Sequence, residues 1–145
     1  FEMINIKPIK KNDISKLIEI EKDVFDCSIY IQDFENYFYK DTIKIWKIST
    51  RKIIGFVSFY HVKDEIEIIQ IGIIKSCQRK NYGSSIINKI KKLKDVKKIF
   101  LEVSVENSQA INFYLKNGFK KIGIRKDYYK GNKKRVDALR LLFEF

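Results

Sequence analysis

Residues 71–87 read Ile-Gly-Ile-Ile-Lys-Ser-Cys-Gln-Arg-Lys-Asn-Tyr-Gly-Ser-Ser-Ile-Ile, and this stretch decides how the rest of the chain is organised. Its first part belongs to a short β-branched apolar run that starts at Ile69, which favours a strand over a helix. After the loop, apolar residues recur with helical spacing at Ile86, Ile87 and Ile90. The pattern predicts a buried strand, a short basic loop and the start of a helix.

The loop of this stretch has the features of an anion-binding site. The N-terminus of a helix leaves backbone N–H groups without partners and carries a partial positive charge. Arg79 and Lys80 add two full charges at the mouth of the predicted helix, and the loop ends in Gly83 and Ser84. A single glycine in such a turn is weak support. On the local pattern alone, an ordinary strand-to-helix turn with solvated basic residues remains open.

Composition is typical of a soluble globular protein. The 145 residues, 45% hydrophobic and 33% charged, predict one domain with a single core. No apolar run approaches the ~20 residues of a membrane helix, and we expect a cytoplasmic protein. The two cysteines form no CxxC pair and one histidine cannot anchor a zinc cluster, so we expect reduced thiols and no metal. Met3 resembles a natural start, and we expect the two residues before it to be a remnant.

The net charge of +12 favours anionic partners, such as a phosphorylated cofactor or the surface of a ribosome. The lysines are spread through every segment and lack the focused stripe that a nucleic-acid footprint would show. We therefore expect no direct nucleic-acid binding.

Up to residue 74, the hydrophobic patterns predict two helices and four strands. Alternating residues predict a first strand over 3–7, ended by Pro8. Asn12 or Asp13 can cap a helix, whose predicted buried face is formed by four apolar residues: Ile14, Leu17, Ile18 and Phe25. An aromatic-rich segment predicts a second helix over about 31–39. Strands over 42–49, 53–62 and 66–74 would form an antiparallel meander.

After the loop, the pattern predicts two further helices and three strands. A helix over 84–93 leads to a strand over 99–105, and Asn107-Ser108 caps a helix that Asn117-Gly118 ends. Strands over 119–124 and 135–143 follow, joined by a loop that contains Tyr128, Tyr129, Lys130 and Gly131. Glu102 stands within the otherwise apolar strand, where an unpaired buried carboxylate would cost several kcal/mol. This makes Glu102 the best candidate for a chemical role.

Together these features resemble the GNAT superfamily of acetyl-CoA-dependent N-acetyltransferases, and within it the RimI-like ribosomal-protein alanine N-acetyltransferases. The resemblance covers nearly the whole chain and rests on the element order β-α-α-β-β-β-α-β-α-β-β and on the loop 78–83. The branch is indicated by four motifs: Leu101-Glu102-Val103, Asn107, Phe113-Tyr114, and Arg125-Lys126-Asp127-Tyr128-Tyr129, which is similar to the family's Arg-x-x-Tyr-Tyr. It implies one α/β domain with a mostly antiparallel sheet of about seven strands flanked by four helices.

The resemblance also implies a site for acetyl-CoA. The main chain of Ile71, Gly72 and Ile73 would contact the pantetheine arm, and Asn107 would hydrogen-bond the cofactor near the reacting centre. The pyrophosphate would be wrapped by six loop residues: Arg79, Lys80, Asn81, Tyr82, Gly83 and Ser84. Asn81 replaces the first glycine of the family pattern. Because asparagine tolerates a positive φ, we expect the loop to keep its shape.

The acceptor amine must lose a proton before it attacks the thioester. At pH 7 this costs about 1.4 kcal/mol for an α-amino group and about 4.6 kcal/mol for lysine, which favours a protein N-terminus. By resemblance, Glu102 is the general base that receives this proton, and Tyr114 is the general acid that protonates the departing thiolate. Tyr128 and Tyr129 would line the groove for the first residues of the acceptor.

Other interpretations stay open from the residues. A salt-bridged Glu102 and a Tyr114 packed in the core are the structural alternatives. Where the branch carries an aromatic, proline-containing signature, this chain has Phe25-Asp26-Cys27-Ser28-Ile29-Tyr30, which leaves the acceptor open. The candidate functions are therefore a protein N-terminal acetyltransferase, an acetyltransferase for a small amine such as a polyamine or amino sugar, and a non-catalytic CoA-binding protein associated with the ribosome.

Overall fold

A seven-stranded mixed sheet runs through the residues that the computed structural model describes, which are 3–25, 33–130 and 135–145. Its strands are β1 (Asn5–Pro8), β2 (Ile43–Ser49), β3 (Ile53–Val62), β4 (Glu65–Ile73), β5 (Lys98–Ser104), β6 (Lys120–Lys130) and β7 (Arg135–Glu144). They lie in the order β1-β2-β3-β4-β5-β7-β6. The helices are α1 (Ile14–Val24), α2 (Phe34–Phe38), α3 (Tyr82–Lys91) and α4 (Ser108–Lys116). The predicted element order and fold class are confirmed.

Two hydrophobic cores lie on the sheet. One contains the buried face of α3, formed by Ile86, Ile87 and Ile90, together with residues of the central strands. The other contains Leu17 of α1 and Phe34 of α2. Because side chains alternate along a strand, the two cores use opposite faces of the sheet. None of the helices in the described residues is long and apolar enough to cross a membrane.

The strands β4 and β5 form the parallel pair of the sheet, and they pair along only part of their lengths. Their register runs from Glu65 opposite Lys98 to Ile68 opposite Leu101. Beyond that point β4 continues to Ile73 without a paired residue of β5. The two strands therefore diverge at their C-terminal ends and leave backbone groups without ladder partners. The helices α3 and α4, which follow β4 and β5, begin near this opening.

The buried face of α1 differs from the predicted one. Ile14 and Leu17 are buried as predicted, but Ile18 is 36% exposed, and Ile20 is buried instead at 2% exposure. The buried face of α1 therefore passes through Ile20 and not through Ile18. Asp13 makes no side-chain cap to α1, because its carboxylate accepts hydrogen bonds from the Lys10 backbone and the Lys47 ammonium.

The strand β6 is longer than predicted. It runs to Lys130, so Tyr128 and Tyr129 lie on a strand and not in a loop. Irregular pairing with β7 between Arg125 and Tyr129, with a positive φ at Asp127, allows the strand to continue through a charged run. Charged residues are compatible with β6 because it is an edge strand.

Several predictions fall on residues outside the described ranges. The predicted second helix over 31–39 is observed from Phe34, and residues 31 and 32 are not described. The stretch 26–30, with Cys27, and Gly131 are likewise outside. Cys77 is described and forms no disulfide with the described residues.

The stop of α4 is as predicted. Gly118 has φ +93°, and its N–H donates to the Leu115 carbonyl at 3.1 Å. The next N–H, of Phe119, reaches back to the Tyr114 carbonyl at 3.1 Å. These bonds satisfy carbonyls at the end of the helix and turn the chain into β6.

Candidate active site

A cleft of about 730 Å³ opens where β4 and β5 diverge. It is lined by the end of β4, by the loop and first turn of α3, and by one face of α4. Its lining residues are Val24, Phe25, Ile71, Ile73, Lys75, Cys77, Gln78, Arg79, Asn81, Tyr82, Gly83, Ser84, Asn107, Gln109, Ala110, Asn112, Phe113, Tyr114 and Lys116. The cleft brings together eight of the ten predicted cofactor residues and the predicted acid Tyr114.

The loop before α3 has two residues in the left-handed region. Asn81 has φ 67° and ψ 13° and precedes the first residue of the helix, and Arg79 has φ 62°. The position of Asn81 is thus one where glycine is favoured, and asparagine is among the residues that tolerate it. Alternating backbone conformations of this kind point successive N–H groups into one concavity, which suits an anion.

A hydrogen bond from Gln78 connects this loop to β4, the strand before it. Its side-chain Nε2 donates to the carbonyl of Ile73 at 2.8 Å. On the other side of the loop, a Cβ added to Gly83 would lie 2.9 Å from the ring of Phe113 on α4. Because Gly83 has no side chain, α4 approaches the first turn of α3 closely. The loop is held from both sides of the cleft.

Two of the predicted cofactor residues, Gly72 and Lys80, do not line the cleft. Gly72 is buried, and a Cβ added there would lie 2.8 Å from the ring of Phe56 and 3.1 Å from that of Phe25. The missing side chain of Gly72 therefore makes room for two phenyl rings. Lys80 is exposed beside the loop.

Asn107 lines the cleft and also caps α4. Its side-chain oxygen accepts a hydrogen bond from the backbone N–H of Ala110 at 3.1 Å. This leaves the amide NH₂ as the donor that the side chain can direct to a bound molecule. The capping bond fixes the orientation of the amide at the start of α4.

The cleft carries positive charge that the loop alone did not reveal. Lys75 and Lys116 line it together with Arg79. Lys75 lies just after β4 and Lys116 at the end of α4, so no motif joins them in the sequence. Three cations around one cleft suit a ligand with several phosphate charges.

Tyr114 lies between the cleft and the hydrophobic core. It is 8% exposed, and its ring makes edge-on contacts with Phe113 and Phe119 at centroid distances of 5.0 Å and 5.5 Å. Burial raises the pKa of Tyr114, and the nearby phenol of Tyr129 raises it further. Tyr114 is therefore both packed in the core and a phenol that keeps its proton in neutral and mildly alkaline solution.

Glu102 points away from this cleft and is held by two arginines. Its Oε1 accepts from Arg125 Nη1 at 2.9 Å and from Arg140 Nη1 at 3.1 Å, and its side chain is 13% exposed. Arg140 is its direct neighbour across the β5–β7 pair. The ion-paired state that the sequence left open is thus observed. It satisfies one carboxylate oxygen and leaves the other, Oε2, without a hydrogen-bond partner among the described residues.

A second cavity of about 450 Å³ opens beside Glu102. It is lined by Glu67, Glu102, Gly123, Ile124, Arg125 and Arg140. Its floor is the face of β4, β5, β7 and β6 on which these charged side chains lie. The arrangement has two acidic and two basic groups and no cluster of three or more possible metal ligands among the described residues.

Tyr129 lies beside the backbone of Glu102. Its hydroxyl donates to the backbone carbonyl of Glu102 at 3.2 Å. Burial raises the pKa of Tyr129, and the neighbouring Tyr128 and Glu102 add to the shift. The phenol of Tyr129 is also near enough to Tyr114 to raise the pKa of that residue. Tyr128 stacks edge-on against Tyr129 at 4.9 Å and under Arg125 at 4.8 Å.

Sequence reasoning missed the partners of Glu102. The sequence indicates Arg125 only as part of the motif that is similar to the family's, and its pattern does not distinguish Arg140 or Glu67 from other strand residues. Glu67 alternates with the buried Ile66 and Ile68, so in the sequence it has the pattern of an ordinary exposed strand position. The sequence does carry one indication of these partners: a carboxylate on an apolar strand needs a cation on a neighbouring strand, and β7 contains Arg140.

Comparison with known proteins agrees with this geometry. The model of the acetyltransferase (GNAT) family matches residues 14–119. A relative from Haemophilus influenzae, described as a [ribosomal protein bS18]-alanine N-acetyltransferase, is 30% identical over 127 residues, which are 86% of each chain.

Solved structures show the same fold. A ribosomal-protein alanine N-acetyltransferase of Escherichia coli superposes with a TM-score of 0.85 at 23% identity and covers 98% of this chain and 94% of its own. NAA60 of Arabidopsis thaliana in complex with acetyl-CoA superposes with a TM-score of 0.86 at 18% identity and covers 99% of both chains. The opening between β4 and β5 and the loop with the left-handed Asn81 before α3 agree with the match of the family model over residues 14–119. This chain belongs to the GNAT family of acetyltransferases.

Proposed function

We propose that this protein transfers an acetyl group from acetyl-CoA to the α-amine of a protein N-terminus, with a ribosomal protein that begins with alanine as the acceptor class. The observation that carries the proposal is the pair of cavities, one lined by Tyr114 and the other by Glu102, whose backbone carbonyl accepts a hydrogen bond from Tyr129. The relative from Haemophilus influenzae, whose printed name describes that activity, supports the choice of acceptor.

The cleft would hold acetyl-CoA. The unpaired backbone of β4 would accept the pantetheine arm as an added strand would be accepted. The N–H groups at Asn81, Tyr82, Gly83 and Ser84 would surround the pyrophosphate at the helix start. The cations that line the cleft (Lys75, Arg79 and Lys116) match the negative charge of the phosphates.

The second cavity would receive the acceptor. Its polar walls suit an ammonium group. Tyr128 and Tyr129 contact two of the residues that line it, Arg125 and Glu102. An α-amine costs about 1.4 kcal/mol to deprotonate at pH 7, which a single carboxylate reached through a water molecule can supply. We assign this role of general base to Glu102.

The neutral amine would then attack the thioester carbon. A C–N bond forms, the C–S bond breaks, and the amine loses its second proton, which restores the phenol of Tyr114 after that phenol has protonated the sulfur. The sulfur leaves as a thiolate and takes the proton of Tyr114, whose phenol stays protonated because burial raises its pKa. The products are an N-acetylated chain and CoA with a free thiol.

Acetyl-CoA turnover with a small set of acceptors tests the function. We expect a peptide that begins with a free alanine to be acetylated with a kcat/KM at least ~10-fold above that of spermidine or of the same peptide blocked at its N-terminus and carrying an internal lysine. A preference for spermidine would establish the small-amine alternative. Binding of acetyl-CoA without turnover of any acceptor would establish a non-catalytic protein.

Replacement of Asn81 tests the loop. We expect Asn81→Gly to preserve or tighten acetyl-CoA binding, because glycine adopts φ 67° freely. Asn81→Val should weaken binding roughly 5–30-fold, since a β-branched residue pays about 1–2 kcal/mol in this region. Isothermal calorimetry measures the Kd, and Asn88→Val, at an exposed position of α3, is the matched control. A large loss of binding in Asn81→Gly would contradict the assignment of the loop.

Replacement of Glu102 tests the base. In Glu102→Gln we expect kcat/KM for the alanine peptide to fall at least ~10²-fold at pH 7. The loss should shrink above pH ~9, where the α-amine of the acceptor is already neutral in solution. Glu144→Gln, at an exposed ion pair on β7, is the control. A variant whose pH–rate profile keeps the shape and height of the parent's would remove Glu102 from this role.

Replacement of Tyr114 tests the acid. Tyr114→Phe should lower kcat ~10²-fold while the Kd for acetyl-CoA changes less than about twofold, because the ring packing is kept and only the phenol is lost. Steady-state kinetics and calorimetry separate the two quantities. The control is Tyr39→Phe, at a tyrosine that is 63% exposed. Undiminished turnover would show that another donor protonates the thiolate.

A further inference from the structure

Arg125 lines the second cavity, and the mechanism above gives its guanidinium no role toward the acceptor. We propose that Arg125 selects the acceptor by binding a carboxylate at the second or third residue of the chain whose N-terminal amine lies at Glu102. The inference rests on the proposed function and narrows it to acceptors whose first residues include an acid.

Most of the guanidinium of Arg125 is free for such a contact. Its Nη1 donates to Glu102 Oε1 at 2.9 Å, and Arg125 donates no other hydrogen bond to the described residues. A guanidinium group carries five N–H donors in a planar fork, which matches the two oxygens of a carboxylate. The side chain of Arg125 is 59% exposed, whereas that of Glu102 is 13% exposed. Arg125 therefore reaches from solvent to the base and keeps further donors for an incoming ligand.

Aromatic contacts hold the guanidinium of Arg125 in this position. It lies over the ring of Tyr128, 4.8 Å from the centroid. Tyr128 packs edge-on against Tyr129 at 4.9 Å, and the hydroxyl of Tyr129 donates to the backbone carbonyl of Glu102. A guanidinium that is already fixed loses little conformational freedom when it binds a carboxylate. The paired geometry is also stronger than the contact of a mobile surface lysine.

The place of Arg125 fits the length of an extended acceptor chain. An amine that reaches Glu102 through one water molecule lies about 5–6 Å from its carboxylate. Each further residue of an extended chain adds about 3.3–3.6 Å. Because Arg125 contacts Glu102 directly, a carboxylate one or two residues behind the amine can reach it. Gly123 also lines the cavity, and a Cβ added there would have no atom within 4 Å, so this space is open.

The charges of the cavity also favour an acid behind the amine. Two carboxylates (Glu67 and Glu102) and two guanidinium groups (Arg125 and Arg140) line it, so their formal charges cancel. An acceptor brings an ammonium group and adds one positive charge. A carboxylate on the next residue restores neutrality, while a lysine there adds a second cation. A partly buried charge is stable only with a partner, so the cavity discriminates between the two.

The strand that carries Arg125 is itself basic. Over Lys120–Lys130, β6 contains five cations and one acid, Asp127. On β7, Asp137 accepts a hydrogen bond from the backbone N–H of Asp127 at 2.9 Å. The whole chain has a net charge of +12. These charges attract an acidic acceptor segment and repel a basic one before contact is made.

Peptides that begin with alanine and differ at one residue test the selection. We measure kcat/KM of the parent for glutamate, glutamine or lysine at the second residue, and for the same three changes at the third. Glutamine has the size of glutamate without its charge, so the comparison isolates the carboxylate. We expect glutamate at one of the two positions to exceed glutamine at least ~10-fold, and lysine to fall below glutamine. Equal rates for glutamate and glutamine at both positions would overturn the proposal.

Charge reversal assigns the preference to Arg125. In Arg125→Glu, the ratio of kcat/KM between the glutamate and lysine peptides should fall at least ~10-fold. Both peptides are measured on the same variant, so a loss caused by the broken pair with Glu102 cancels in the ratio. Calorimetry with acetyl-CoA verifies that the variant is folded, and the comparison of peptides on the parent decides the proposal if it is not.

The matched control is Lys126→Glu, at the next residue of the strand. Lys126 is exposed, and its reversal changes the net charge by the same amount as that of Arg125. This variant should keep the parent's ratio. An equal fall of the ratio in both variants would show that the net charge alone selects the acceptor, and would overturn the contact with Arg125.

The two hypotheses fail differently. If the parent acetylates no peptide, the proposed function fails. If the parent acetylates the glutamate, glutamine and lysine peptides at equal rates, the function stands and the selection by Arg125 does not.

Discussion

The early end of pairing between β4 and β5 is the constraint on which the rest of the structure depends. A parallel pair that separates after Ile68 and Leu101 leaves backbone donors and acceptors without partners in the middle of a sheet. Both helices that follow these strands start near the gap, with further N–H groups unsatisfied. The divergence therefore produces one polar cleft within an apolar framework. A long ligand with amide and phosphate groups can provide hydrogen-bond partners for the backbone groups that the cleft exposes.

The two cavities beside these strands have different chemical surroundings. On the side of α3 and α4, the cleft has backbone donors, three cations and the buried phenol of Tyr114. On the other face, β5 and its neighbours carry acids and arginines in equal number. A charge in such partly buried surroundings is tolerated only with a partner, so Glu102 and Arg140 stabilise one another across the strand pair. The hydroxyl of Tyr129 donates a hydrogen bond to the backbone carbonyl of Glu102.

Much of the site could be predicted because its signals are local. A loop that needs a positive φ accepts few residues, and Asn81 is one of them; its left-handed conformation agrees with that reasoning. The carboxylate of Glu102 was conspicuous against its apolar neighbours. The sequence pattern predicts a loop at Tyr128 and Tyr129, because the charged residues before them interrupt the alternation of a strand. The edge position of β6, which makes such residues acceptable, follows only from the strand order.

By itself, the sequence determined the order of the elements, the resemblance to the family, and the left-handed residue Asn81 in the loop before α3. These depend on periodicity and on backbone preferences that act within a few residues. Only the tertiary structure decided that Glu102 is shared by two arginines, that Gly72 makes room for phenyl rings, and that Glu67 lies in the same cavity as Glu102. Glu102 is 35 positions from Glu67 and 38 from Arg140, and only the pairing of strands, which no local pattern encodes, brings these residues together.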